Sequence, residues 1–367
     1  MRVLHFLDTT NRGGAEVQVL DICRNAARFG LEVTFATTHG GSLEDDFRGS
    51  GADFVRLGRK FPVDLYLASQ LRRIVKERGI EAVHGYQAVE GLHLYLATRG
   101  LKRVKRVLSF QGGTVYDWKN RRALRFLIPR MDANIVVSEG LRKLHSEKDR
   151  FDVSGFTVIP NGADPDRLRP TGKSLKAELG LGGHVRLIGM VGNFYRETRK
   201  DQMTVCRALP EVFAAFPESQ MVFAGKIEEG AEGKFADCLN FCLKQGIADR
   251  VHFLGGRADI GDILAELEIF VLSSRREGLP VAVSEAMLVG LPLVLSDIEP
   301  LIEVSGGGRF AEIFRTGNAA DLSERLRGLL GDGGRRGRLA QSGRDHAVAN
   351  YSIDAHLAAL SELYARI

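Results

Sequence analysis

The chain has 367 residues, 44% of them hydrophobic, with ten prolines and one tryptophan. That is too long for a single ordinary core and too apolar for a disordered or repeat-built chain, so two packed domains are expected. No apolar run reaches bilayer length, and the opening MRVLHFLD is broken by His5 and Asp8. The four cysteines (Cys23, Cys206, Cys238, Cys242) are too few to staple the chain; a soluble cytoplasmic protein with reduced thiols is the natural expectation. Charge is uneven: 27 basic against 20 acidic residues up to residue 168, then 24 against 26. Between Arg99 and Arg130, ten basic residues face Asp117 alone, which points to an anionic partner (membrane surface, lipid phosphate or nucleic acid) or to a solvated helix face.

Short β-rich apolar runs alternate with amphipathic stretches from the first residues onward. In chain order the strands are VLHFLD, EVTFATT, DFVRLG, AVHGY, RVLSFQG, NIVVS and FTVIPNG, with helices predicted near 15–29, 65–78, 88–99, 117–130 and 139–149. The turn-rich segment PNGADPDRLRP then reads as a hinge. Beyond it come RLIGMVGNF, QMVFAGK, VHFLGG, EIFVLSS and PLVLSD, with helices near 201–216, 232–245, 259–267 and 281–289. A last helix runs from a Ser352 cap to Ile367. Strand-helix alternation of this kind makes parallel sheets covered by helices on both faces, hence an α/β chain of two doubly wound domains. The implied boundaries are 1–168, 169–350 and a returning segment 351–367.

Ligands of doubly wound sheets bind outside the carboxyl ends of the strands, so the strand-to-helix loops are the places to look. The first loop, TTNRGGAEVQVL, puts Gly13 and Gly14 just before a helix, where backbone N–H groups can approach an anion; a plain tight turn is the alternative. After GMVGNF the chain reads YRETRKDQ, bringing Arg196, Arg199 and Lys200 to the end of a buried strand in a combination suited to a diphosphate, or to a merely solvated loop. The third loop, SSRREGLPVAVSEAMLVGLP, carries Glu277 ahead of a helix opened by Pro280 and closed by Gly290 and Pro292, with Glu285 in its second turn. On one straight helix these carboxylates would lie roughly 12 Å apart along the axis; the Gly-Leu-Pro break lets them share a ligand.

These residues resemble a known pattern, that of the retaining glycosyltransferases of family 4. The resemblance rests on GGAE at 13–16, IVVSEG at 135–140, VIPNGAD at 158–164, MVGNF with Lys200, VFAGK, VHFLGG, and above all on EGLPVAVSEAM with its Glu-x7-Glu from Glu277 to Glu285. It implies the GT-B architecture, two Rossmann-like domains facing a central cleft, with acceptor held mainly by the first and a nucleotide sugar by the second. Arg196 and Lys200 would then meet the donor diphosphate and Glu277 the transferred sugar. Glu285 would take the ribose hydroxyls. Gly13, Gly14, Asn193, Arg199, Gly278, Leu279, Pro280 and Val281 would complete the donor site; Glu16, His84 and Gln111 would lie on the acceptor side.

The expected activity is retaining transfer from a UDP- or GDP-linked sugar to a saccharide or lipid-linked acceptor, in cell-surface polysaccharide, lipopolysaccharide or glycolipid synthesis. Fixed positive charge would stand where other glycosyltransferases place a divalent metal, so no metal or other cofactor is implied. Asp164 and Asp166 form an Asp-x-Asp, but in the hinge. The basic first half fits peripheral contact with an anionic membrane at its inner face. Two features depart from the family: Gln111 stands where a histidine is frequent, and it cannot take a proton; Asn193 follows Gly192 where arginine is common. They motivate an alternative, a non-catalytic nucleotide-sugar-binding partner protein. A nicotinamide-dependent oxidoreductase lacks its glycine fingerprint. Nucleic-acid binding is not expected, because Tyr116, Trp118 and Phe126 read as the apolar side of a helix.

Overall fold

The computed structural model describes residues 1–112 and 116–367. Two compact units divide it, Met1–Ala163 with Ile353–Ile367, and Asp164–Ser352.

The first unit runs β1 (Arg2–Thr9), α1 (Gly14–Asn25), β2 (Glu32–His39), α2 (Glu44–Arg48), β3 (Asp53–Arg56), α3 (Leu65–Glu77), β4 (Ala82–Gly85), α4 (Ala88–Thr98), β5 (Lys105–Phe110), α5 (Trp118–Leu127), β6 (Ala133–Val136), α6 (Glu139–Leu144) and β7 (Phe156–Val158). Its seven strands lie in the order β3-β2-β1-β4-β5-β6-β7, and the paired strands are parallel. Chain direction across the sheet reverses between β1 and β4, which makes their carboxyl ends the switch point. Strands buried on both faces are predominantly apolar: Val3, Leu4, Phe6 and Leu7 of β1 are all buried, and the one polar residue among them, His5, is hydrogen-bonded to Tyr86. Helix α3 shows why the amphipathic stretches fold as they do. Leu67, Leu71, Ile74 and Val75 share its inner face and join the core with Leu4 and Phe6, and Asp64 caps its start by accepting from Tyr66 and Leu67.

The second unit runs α7 (Leu175–Glu178), β8 (Arg186–Val191), α8 (Gln202–Ala215), β9 (Ser219–Ala224), α9 (Glu232–Lys244), β10 (Val251–Phe253), α10 (Ile260–Glu266), β11 (Leu267–Leu272), α11 (Val281–Val289), β12 (Leu293–Ser296), α12 (Glu299–Val304), β13 (Glu312–Phe314), α13 (Ala319–Gly331) and α14 (Gly333–Asn350). Its six-stranded sheet has the order β10-β9-β8-β11-β12-β13, with the switch between β8 and β11. The final helix, α15 (Ile353–Arg366), belongs to the first unit, where it packs against α1.

Each of the twelve expected strand segments contains a strand. Not expected from the sequence are the short helices α2 and α7, β13, only three residues long behind a glycine run, and α12, α13 and α14; α14 is mostly solvent-exposed and rich in Gly and Arg, so it offers no apolar stripe. Trp118 and Phe126 require a correction. They were expected on the apolar side of their helix, but both are exposed, and Leu124 and Leu127 occupy the buried side of α5.

Candidate active site

At the switch point of the second unit, three strand ends build one polar cluster. The segment after β8 is stitched to the segment after β11. Lys200 and Ser274 form an antiparallel bridge, flanked by the Arg275 N–H to the Arg199 carbonyl at 2.7 Å and the Asp201 N–H to the Ser273 carbonyl at 2.9 Å. This brings Lys200 Nζ within 2.6 Å of Glu277 Oε1, which also accepts from Ser274 Oγ at 2.7 Å. The pair is largely shut away from water, with side-chain exposures of 8% and 5%. Burial makes each charge depend on the other, because neither is well solvated alone. Asp201 ties the arrangement down from the side, capping α8 through the Thr204 N–H and pairing with Arg275 at 2.9 Å.

Glycines make this packing geometrically allowed. A Cβ on Gly225, just past β9, would lie 2.2 Å from the Gly192 carbonyl oxygen, and one on Gly192 would lie 3.0 Å from Lys200 Cε. The rest of the 193–200 loop is held by its backbone. Asn193 accepts from the Lys226 N–H at 3.1 Å, and Lys234 Nζ donates to the carbonyls of Tyr195 and Glu197 at 3.0 and 2.8 Å. Arg196 is exposed, its stem against Gly230. Arg199 lays its guanidinium over the Tyr195 ring, 4.7 Å from the centroid, and its buried Nε has no hydrogen-bond partner among the described residues. Lys200 and Glu277 are thus brought together, whereas Arg196 is exposed and has no ion-pair partner among the described residues.

The third loop behaves as its spacing predicts. Gly278, Leu279, Pro280 and Val281 are buried and lead into α11, which has Pro280 as its N-terminal cap residue and Gly290 in the left-handed conformation at its end. Its N-terminal amides face away from the helix body, where they can meet an anion. Seven of the nine residues of α11 are buried, so the Glu285 carboxylate lies in a largely apolar helix. Arg167 supplies its countercharge, 2.8 Å from Glu285 Oε1. Arg167 was not anticipated, nor were Ser274 and Gly225. Arg167 lies in the turn-rich segment, which reads only as a hinge, and no local pattern announces a partner so far along the chain.

In the first unit Gly13 is extended and precedes α1, whose first residue is Gly14; the Gly13 carbonyl accepts from the Val17 N–H at 3.0 Å. Glu16 is half-buried in the first turn. Gln111, half-buried after β5, has an Oε1 with no partner among the described residues, and Gly113, two positions on, lies outside them. His84, expected on the acceptor side, is held inside the first unit. Its ring is buried, and both nitrogens are engaged, at 2.6 Å from Tyr364 Oη and 2.6 Å from Ser109 Oγ. Burial also lowers its pKa well below the usual value. Asp164 and Asp166 form a local turn, the Asp166 N–H donating to Asp164 Oδ1 at 2.9 Å, and Asp166 pairs with Arg169. Among the described residues no helix is long and apolar enough to cross a membrane.

A family model described as Glycosyltransferase Family 4 matches residues 12–167, and one described as Glycosyl transferases group 1 matches residues 185–332. EpsF of Bacillus subtilis (strain 168), designated a glycosyltransferase, is 26% identical over 318 residues, covering 81% of this chain and 79% of its own. The GDP-mannose-dependent monoacylated alpha-(1-6)-phosphatidylinositol monomannoside mannosyltransferase of Corynebacterium glutamicum is 26% identical over 309 residues, covering 78% and 76%. HepE of Anabaena, solved in complex with UDP and glucose, superposes with a TM-score of 0.86 at 17% identity over 100% of both chains. Two models that together span most of the sequence, relatives of similar length and a shared two-unit fold establish that the chain belongs to glycosyltransferase family 4 and is a glycosyltransferase of GT-B architecture.

Proposed function

We propose that the chain transfers a sugar, with retention of anomeric configuration, from a UDP- or GDP-linked donor to a saccharide or lipid-linked acceptor. The products would be cell-surface polysaccharide, lipopolysaccharide or glycolipid. The observation that carries this reading is the buried Lys200–Glu277 pair at the switch point of the second unit, beside the start of α11. A cation held there meets the charge that grows on a departing diphosphate, a role that otherwise falls to a divalent metal, so the reaction runs without one. Arg196, exposed and without a fixed partner among the described residues, closes on the same phosphates, with Arg199 and Asn193 on the same loop. The amides of Gly278–Val281 face the diphosphate, Glu285 takes the ribose hydroxyls, and Glu277 orients the transferred sugar and stabilises its positive charge. Gly13 and Gly14 let backbone amides approach the phosphates or the acceptor.

Gln111 cannot accept a proton. The acceptor hydroxyl therefore attacks from the face that the diphosphate leaves, its proton passes to a phosphate oxygen, and the new glycosidic bond forms as the sugar-phosphate bond breaks. The Corynebacterium relative is named for GDP-mannose and a phosphatidylinositol-based acceptor, and HepE was solved with UDP and glucose; both bases therefore stay in the proposal. Peripheral contact with an anionic membrane, at the inner face where lipid-linked acceptors are presented, is supported by α5, where Trp118 and Phe126 are exposed among Lys119, Arg122 and Arg125.

Calorimetric titration with UDP, GDP and ADP, each with magnesium and with chelator, tests the donor site. Preferential, metal-independent binding of one nucleoside diphosphate is expected; the matching sugar nucleotides and a lipid-diphosphate acceptor panel, with the product anomer assigned by NMR, then follow. Binding of none of the three, or binding only with magnesium, would overturn the reading.

A further inference from the structure

The switch point of the first unit holds a second polar cluster. Asp8 lies at the carboxyl end of β1, Thr38 and His39 at that of β2, and Arg59 in the segment after β3. Asp8 Oδ2 pairs with Arg59 at 2.6 Å, while Oδ1 accepts from Thr38 and lies 3.3 Å from His39 Nδ1. Behind them sits Glu90 in the first turn of α4, only 2% exposed. It is pressed there because Gly85 at the end of β4 leaves room for the helix; a Cβ on Gly85 would lie 3.2 Å from the Gly91 nitrogen. Glu90 Oε1 accepts from the Asp8 N–H at 3.3 Å, but its buried Oε2 has no partner among the described residues.

A buried carboxylate with one idle oxygen is unusual in a folded chain, where such groups are normally satisfied. Its surroundings are otherwise rigid. His93, one turn further along α4, accepts from the Asp64 N–H at 2.9 Å and donates to the Val89 carbonyl at 2.7 Å, which fixes the segment carrying Arg59 against the helix. Burial, reinforced by the Asp8 charge and opposed by Arg59, pushes the Glu90 pKa up to about 7. Asp8 and Arg59 keep open capacity: a carboxylate accepts about four hydrogen bonds and a guanidinium donates five, more than their mutual contact uses. Adjacent donors and acceptors of this kind match the hydroxyls of a sugar. A phosphate would meet the Asp8 charge and a guanidinium already neutralised by it.

We propose that Asp8 and Arg59 bind neighbouring hydroxyls of the acceptor sugar, with Glu90 as the positioning residue behind them. This rests on the proposed glycosyl transfer and places acceptor recognition at the switch point of the first unit. Ionised Glu90 adds negative charge behind Asp8 and strengthens its hold on hydroxyl donors, so sugar binding increases from pH 6 to pH 8. The groups facing Glu90 are Asp8, Arg59 and Tyr116, with His93 on its own helix.

Saturation-transfer NMR on the full chain tests the site, with methyl α-glucoside, methyl α-mannoside, methyl α-N-acetylglucosaminide and inorganic phosphate as probes. UDP and GDP binding is measured calorimetrically on the same samples. Wild type should bind at least one glycoside in preference to phosphate; Asp8→Asn and Arg59→Met should each weaken that binding roughly tenfold or more, with nucleotide affinity unchanged. Glu90→Gln should bind the glycoside with a weaker pH dependence than wild type between pH 6 and pH 8, His39 beside Asp8 being common to both proteins. Undiminished binding in both Asp8→Asn and Arg59→Met, a loss confined to nucleotide binding, binding of phosphate alone, or no glycoside binding by wild type would each overturn the proposal. Absence of nucleotide binding by wild type would instead overturn the donor reading.

Discussion

Lys200 Nζ and Glu277 Oε1 lie 2.6 Å apart across 77 residues of sequence, and the contact closes the ends of β8 and β11 into one site. Because the pair is buried, its members answer differently to substitution. Removing Lys200 leaves a carboxylate with only Ser274 as side-chain donor among the described residues, a change of the kind that costs about 3–5 kcal/mol. Lys200→Ala should therefore lose both stability and nucleoside diphosphate affinity. Glu277→Gln keeps a hydrogen-bond acceptor for Lys200 but leaves its buried ammonium without a countercharge, so it too should lose stability. It should bind nucleotide within a few fold of wild type while transfer falls by about a hundredfold or more. Calorimetry beside initial-rate kinetics separates the two, and a Glu277→Gln variant with full transfer rates would remove Glu277 from the mechanism.

Gly225 tests whether the phosphate loop must approach β9 this closely. Its Cβ would meet the backbone of Gly192 rather than a movable side chain, so Gly225→Ala must shift one strand end. A cost of about 1–3 kcal/mol is expected, with weakened nucleotide binding. Undisturbed unfolding and nucleotide affinity would show that the loop relaxes freely.

Much of this site was legible because its signals are local. Glycine and proline punctuation delimits α11, the spacing of Glu277 and Glu285 follows from that helix, and a cationic run after a buried strand stands out. What escaped depends on contacts distant in sequence. Arg167 looks like a hinge residue until the fold sets it beside Glu285. His84 looks like a strand-end ligand until Tyr364 of the last helix occupies its ring nitrogen. Trp118 and Phe126 read as core because aromatic side chains usually are, yet the apolar face of α5 is taken by leucines.

The Arg167–Glu285 pair makes its own prediction. Arg167→Met strands a buried carboxylate and should cost about 3–5 kcal/mol. Adding Glu285→Gln removes the stranded charge, so the double variant should recover much of that loss in denaturant unfolding while binding nucleotide less tightly than wild type. A double variant no more stable than Arg167→Met alone would mean that the two residues are energetically independent.

Four of the exposed large apolar residues fall within six positions: Phe61, Val63, Leu65 and Tyr66, at 65%, 52%, 72% and 68% exposure. They precede and open α3, which packs against α4, itself packed against the basic α5 with its exposed Trp118. Apolar side chains beside dense positive charge suit an anionic bilayer surface. Sedimentation with phosphatidylglycerol vesicles should capture the wild type at low salt. Phe61→Ser with Leu65→Ser should weaken capture several-fold without changing nucleotide affinity. Equal capture of wild type and variant would assign any membrane contact to charge alone.

Histidines in the first unit set an acid limit on stability. His5 hydrogen-bonds Tyr86, His84 lies between Tyr364 and Ser109, and His356 donates to the Pro160 carbonyl, all three buried. Burial lowers their pKa values, to about 3 for His5 and about 4 for His356. Unfolded histidines take up protons near pH 6.5. As pH falls below that value the unfolded chain therefore gains protons that the folded chain refuses, and stability declines until the folded pKa is reached. The loss is roughly 1.4 kcal/mol per pH unit for each histidine, or about 3 kcal/mol for His356 between pH 6.5 and 4. Glu90 acts in the opposite direction over part of this range, because its raised pKa lets the folded chain take up a proton first. Comparison with His356→Asn isolates the histidine: the side-chain amide can still donate to Pro160 but does not titrate. Urea unfolding should show wild type losing stability relative to this variant by about 3 kcal/mol from pH 7 to pH 4. A difference that stays constant with pH would mean that His356 is already free to protonate in the folded protein.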